Sequence, residues 1–302
     1  MRSGRRQAAE QEVERRFCRA RRASGGKNGD PMTDLSRRRL LAAGASAAAS
    51  AAAVAGLSSC SGGDDASRSA KTAEAAASSP TAAPKNPAQW LIDENAKPGT
   101  DAWPVPDTPA LWEKIRGYAT ATSINRGGTV DLRVSTAAPE WRVEALRMGW
   151  YGGVGARMVW QSESQKGVRQ AAAVLNPAVG TWTAPWETSV QVTADQSWPP
   201  GMYLLKLVSS DGGMSYVPLV VRDDANAAAL LIQSSVTTWQ AYNEWGGKSL
   251  YDDVKTGNKG RADAVTFDRP YYRNGSGEYF GRESDMVMFV ERLGLDVTYW
   301  TD

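Results

Sequence analysis

The sequence predicts a mixed architecture: a β-sandwich over residues 106–222, then the N-terminal part of an α/β domain over 223–302, both behind an export leader and an extended tether. Three observations predict it. Short alternating apolar runs, bounded by Gly- and Pro-rich turns, fill the middle of the chain. A continuous small or apolar run and a segment of helical periodicity follow them. The region before them is too poor in large apolar side chains to offset the entropy of ordering.

The leader comes first. Ser36 precedes Arg37, Arg38 and Arg39, which lead into Leu40 and Leu41, the order of a twin-arginine export signal. An Ala-rich stretch then runs to Leu57, and Leu57-Ser58-Ser59-Cys60 has the form of a bacterial lipobox. In that reading the Cys60 thiol takes a diacylglycerol and becomes the mature N-terminus. The protein is then a lipoprotein on the outer face of the cytoplasmic membrane. A plain cleaved signal or a helical anchor is the competing reading. Met32 opens a compact leader, whereas residues 1–31 read as upstream of the working start. Residues 61–105, rich in Ser, Ala, Gly, Lys and Pro, read as a flexible tether.

Removing residues 1–60 changes the charge. They hold 12 of the 35 basic and 5 of the 33 acidic residues, so 23 basic face 28 acidic and the mature chain is near −5. That balance gives no sign of a nucleic-acid partner, which requires a clustered basic face. Cys18 and Cys60 are the only cysteines and both belong to the leader, so the folded part has neither a disulfide nor a thiolate metal site. The chain contains no histidine, which excludes serine triads and zinc–histidine centres within it. A metal would need oxygen donors, carboxylates or phenolates, which favour hard cations.

Within the sandwich, Val130, Leu132 and Val134 alternate after Arg126-Gly127-Gly128, and Tyr203, Leu205 and Leu207 alternate after Pro199-Pro200-Gly201. Asp211-Gly212-Gly213 turns the chain into a last strand, Tyr216 to Val221. About a hundred residues of such strands predict an immunoglobulin-like fold. Trp141, Trp150, Trp160 and Trp198 either fill its core or line a carbohydrate platform. Ala227 to Ile232 then predicts a strand buried on both faces. Met286, Phe289, Val290 and Leu293 recur at helical spacing, Gly294 has the position of a C-cap, and Leu295 to Trp300 reads as a second strand. One such α/β unit cannot cover both faces of its sheet.

Three motifs between those strands carry a resemblance. Thr237-Thr238-Trp239-Gln240-Ala241-Tyr242-Asn243, Trp245-Gly246-Gly247-Lys248-Ser249-Leu250-Tyr251 and Phe267-Asp268-Arg269-Pro270-Tyr271 resemble the N,N-dimethylformamidase large-subunit-like family. Gly149-Trp150-Tyr151-Gly152-Gly153-Val154-Gly155-Ala156-Arg157 resembles its upstream domain. The resemblance implies an iron held by two tyrosinates and a glutamate, which polarises a formamide carbonyl and activates water. It places the tyrosinates on Tyr242 and Tyr251, with Tyr271 in reserve, and makes Asn243 and Arg269 candidates to contact a small amide substrate. It also implies a second subunit, and an α/β scaffold of glutamine-amidotransferase type. The family's glutamate comes from a later Gly-His-Asp-Glu-Tyr-Trp stretch that does not occur through Asp302, so the α/β domain reads as incomplete.

Each candidate has a plainer role too. Tyr242 or Tyr251 is equally a core phenol bonded to a carbonyl. Arg269 before Pro270 is well suited to fixing a loop, and Asn274-Gly275-Ser276 is a turn. Gly246-Gly247-Lys248-Ser249 lacks the earlier glycine of a phosphate loop. Three functions follow: an exported amide or C–N hydrolase, a cell-surface module recognising a wall polymer or secreted ligand, or a scaffold without chemistry.

Overall fold

The computed structural model describes residues 88–251 and 260–302. The leader with Arg37, Arg38 and Cys60, and the tether through residue 87, lie outside the described residues. Most of what is described is β-strand in several sheets, with a few helices.

The tether expected over 61–105 ends sooner. Helix α1 (Gln89–Asn95) buries Leu91 completely, and Trp103 and Val105 are buried behind it. Its composition hides this order, because a few widely spaced apolar residues do the packing. Tyr216 fixes the segment: its hydroxyl accepts from the Val105 amide at 2.7 Å and donates to the Trp103 carbonyl. Tyr216→Phe removes both bonds and leaves the buried Val105 amide unsatisfied, at an expected cost of about 1–3 kcal/mol. Denaturant midpoints test the cost, and faster hydrogen exchange at Val105 would localise it.

After the short helix α2 (Pro109–Trp112), two sheets share a core. The smaller holds β1 (Ile115–Ala119), β3 (Thr129–Thr136) and β9 (Val190–Thr193), all antiparallel in the order β1-β3-β9. The larger runs β2 (Ser123–Asn125), β11 (Met214–Arg222), β10 (Gly201–Ser209), β4 (Glu140–Met148), β5 (Ala156–Gln161), with β6 (Gln165–Lys166) also on β4. Period-two alternation aims side chains to opposite faces, so Val130, Leu132 and Val134 meet Tyr203, Leu205 and Leu207 in one apolar cluster. Trp141 and Trp198 are buried in that cluster and Trp160 packs against it, so these three are core residues rather than an exposed platform.

The larger sheet is buried on its second face as well. Leu146, Met148, Met202, Leu204 and Val220 form the floor of another cluster, whose other side is Val236, Trp239, Val287, Val290, Val297 and Tyr299. This explains why β10 is buried along nearly all its length, although alternation alone predicts one wet face. A hairpin of β7 (Val174–Asn176) and β8 (Thr181–Thr183) forms a separate two-stranded sheet.

The covering layer contains β12 (Leu230–Ser234) and β13 (Val297–Thr301), paired in parallel with Ile232 opposite Tyr299. Between them lie α3 (Val236–Tyr242), a π turn (Tyr279–Glu283) and α4 (Ser284–Arg292). The strand expected from Ala227 begins at Leu230, and Leu230 and Leu231 are exposed, so it is not buried on both faces. Helix α4 forms where expected. Gly294 (φ 65°) closes it, with Gly294 N donating to the Glu291 carbonyl and Leu295 N to the Val290 carbonyl. Its buried side differs from the apolar pattern: Val287, Val290 and Glu291 face inward while Met286, Phe289 and Leu293 are exposed. The rotation has an electrostatic reason, because Glu291 meets Arg147 of β4 beneath it.

Candidate functional site

Parallel strands collect functional groups outside their carboxyl ends. Here those ends are Ser234 and Thr301, and two carboxylates converge just beyond them on the first turn of α3. Glu283 Oε1 accepts from the Ser235 amide and from Trp239 Nε1, both at 3.0 Å. Asp302 accepts from the Thr237 amide at 3.0 Å and from its hydroxyl at 2.5 Å. These contacts satisfy backbone donors that a helix start leaves open.

Tyr271 joins this group with its ring edge-on to Trp239, centroids 6.1 Å apart. Its hydroxyl and Glu283 Oε2 are both buried without a partner among the described residues. Burial, reinforced by Asp302, raises the phenol well above its ordinary range. Burial likewise raises the Glu283 carboxyl, against the bonds from Ser235, Ser234 and Trp239 that lower it. The carboxyl therefore holds a proton to a higher pH than a free glutamate. Tyr271, Trp239, Gln240 and Arg269 also line a cavity of about 30 Å3, room for about two waters.

Tyr242 and Tyr251 form a different group, at the far end of α3. Their rings stack 4.5 Å apart and 15° from parallel, and they are 43% and 51% exposed. The Leu250 amide, bonded to the Ala241 carbonyl at 3.0 Å, brings the second tyrosine back to the helix end. Arg282 lies over the Tyr242 face at 5.4 Å and pairs with Glu278 at 3.3 Å. Neither hydroxyl bonds to another described residue, and at these exposures neither tyrosine is a core phenol. The structure thus brings Tyr242 and Tyr251 together and assigns Tyr271 to the strand-end cluster. Among the described residues no group of three His, Cys, Asp or Glu side chains is arranged to hold a metal.

Asn243 and Arg269, the candidate substrate contacts, are both buried and engaged with protein partners. Asn243 is buried and bonds to Gln240, the Pro270 carbonyl, and the Trp245 and Tyr272 amides. Arg269 is 1% exposed and donates to the Asn243, Trp245 and Lys248 carbonyls and to Gln240 Oε1. Desolvation lowers its guanidinium to about 10, with Tyr271 acting against that shift. A planar donor fork encircled by carbonyls is a loop anchor. The Gly246-Gly247 pair is a 3-10 turn against the Trp182 ring, and Asn274 Oδ1 bonds to the Ser276 amide and hydroxyl as its turn requires.

Sequence reasoning missed Glu283 and Asp302, and the only hint was their closeness to strand and helix ends. It also missed what the Gly149–Arg157 motif does. Tyr151 sits at a positive φ of 42°, its amide and that of Trp150 bond to Asn95 Oδ1, and its hydroxyl bridges Arg147 and Glu94. The motif ties α1 to the larger sheet.

Fold and site together define a β-sheet platform carrying a parallel α/β segment, with phenols and carboxylates, and no imidazole, around α3. The family described as N,N-dimethylformamidase beta subunit-like, C-terminal, matches residues 142–302, and the chain belongs to that family. No curated protein matches the chain.

Proposed function

We propose that the protein is an exported hydrolase of a small amide or another C–N bond, working with an iron held by the phenol oxygens of Tyr242 and Tyr251. The stacked, uncommitted phenol pair carries this reading. It supplies two hard oxygen donors, and the sequence from Met1 to Asp302 contains no histidine. Bound there, iron would supply a Lewis acid for the carbonyl and a more acidic water. The chain's own residues do the rest: Arg269 and Asn243 hold the loop that presents Tyr251, and Glu283, at the opposite end of α3, is a carboxyl suited to hold a proton. Tyr271 remains the reserve ligand, on the strength of a hydroxyl that has no partner among the described residues.

The same proposal includes an immunoglobulin-like platform, an amidotransferase-like α/β part and a partner subunit, in line with the family's description as a beta subunit. Export runs through Arg37 and Arg38, and Cys60 anchors the protein by lipid outside the cytoplasmic membrane. The test is iron content with a visible spectrum of the mature protein, beside Tyr242→Phe/Tyr251→Phe and Tyr271→Phe variants. We expect a broad phenolate-to-iron band that the double variant abolishes. Loss of the band in Tyr271→Phe alone would move the ligand role to Tyr271, and colourless, iron-free protein would overturn the proposal.

A further inference from the structure

A cleft of about 500 Å3 lies between the start of β1, the end of β3 and the rings of Trp186 and Trp245. Clefts of roughly 300–1,000 Å3 lined by aromatics and a few placed polar groups are the usual receptacles of small ligands. This one holds three cations, Lys114, Arg116 and Arg169, against the carboxylates of Glu113 and Asp211. Asp211 is already engaged by the Ser209 hydroxyl and the Gly213 amide.

Arg116 is the informative residue. Its guanidinium lies 4.1 Å over the Trp112 ring and donates through Nη1 alone, to the Arg273 carbonyl and, at 3.5 Å, to that of Tyr271. The opposite edge, Nε and Nη2, bonds to no described residue, and Arg116 lines the cleft. That edge is the one that matches a carboxylate with two parallel bonds. Desolvation lowers Arg116 to about 10, with Glu113 and Tyr272 acting against it, so it is charged at neutral pH.

The geometry points to a binding site for a small carboxylate carried on a flat apolar body, with the Arg116 fork on the carboxylate, Lys114 and Arg169 reinforcing it, and Trp186 and Trp245 receiving the body. The two indoles meet edge-on with centroids 6.1 Å apart, which makes an angular apolar wall. Trp245 hangs on the loop that Asn243 and Arg269 fix, so the cleft shares its support with the tyrosine pair. Binding at this cleft needs no metal and is independent of the proposed hydrolysis.

Calorimetric titration of the mature protein with 2-naphthoate, and in parallel with neutral 2-naphthamide, tests it. We expect the acid to bind about tenfold tighter than the amide, a preference that salt weakens and that Arg116→Gln removes. Trp245→Leu should weaken both probes and keep the preference. If Arg116→Gln does not fold, as judged by its thermal transition, a Lys114→Gln/Arg169→Gln double variant replaces it and should narrow the preference. Equal binding of acid and amide, no binding of the acid at millimolar concentration, or a preference unchanged in the folded variants would overturn the proposal.

Discussion

Replacing Glu291 by alanine is expected to destabilise the protein by about 3–5 kcal/mol, because it leaves a buried arginine charge without its partner. Glu291 and Arg147 both have side chains with 0% exposure, and they face each other with two bonds, 2.6 and 2.9 Å. The remaining lone pairs of Glu291 are filled by the Tyr299 hydroxyl and Asn95 Nδ2, and the remaining donors of Arg147 by the Pro200 carbonyl and the Tyr151 hydroxyl. A buried pair with full satisfaction is tolerated, whereas half of it is not. The Arg147→Met/Glu291→Leu double variant removes both charges and should therefore be milder than Glu291→Ala alone. Urea midpoints of the three proteins decide the matter, and a double variant as unstable as the single would show that packing, not charge, is at stake.

The same network gives a direction with pH. Burial alone would raise the Glu94 carboxyl, but Lys97, Arg147, Tyr151 and Arg157 together leave it below its ordinary value. A carboxyl lowered by folding contributes stability above its unfolded pKa and loses it as pH falls through its folded one. The α1 attachment should accordingly loosen at the acid end of the carboxylate range.

Local patterning revealed the elements whose reasons are local. The alternation of Val130, Leu132 and Val134 marks β3, and Gly294 marks the end of α4, because one pleat or one left-handed residue decides each. Which side of α4 turns inward was not legible. Met286, Phe289 and Leu293 look like its core stripe, and only a partner 144 positions away makes Glu291 the inner residue. The same applies to Arg147, a charge in a strand between Leu146 and Met148 that reads as solvent-facing until α4 covers it. In the site, the nearness of Tyr242 to Tyr251 came from resemblance to a family rather than from spacing. Glu283 escaped notice because a glutamate before a helix is so commonly an exposed one.

Arg269→Ala is expected to cost about 3–5 kcal/mol, since it strands the Asn243, Trp245 and Lys248 carbonyls in one buried place. Arg269→Lys keeps the charge but replaces a planar fork by a single ammonium, so it should recover only part of the loss. The consequence reaches past stability. The carbonyls that Arg269 gathers belong to the turn between Tyr242 and Tyr251, so the stack with its 4.5 Å spacing depends on that turn's course. A merely unstable but correctly folded variant would keep the ring-current shifts of the two tyrosines until it melts. Loss of those shifts well below the midpoint, in Arg269→Lys and not in a core variant of matched stability such as Leu205→Ala, identifies Arg269 as the residue that positions the pair. Retention of the shifts up to the midpoint would assign that task to the Ala241–Leu250 backbone bond instead.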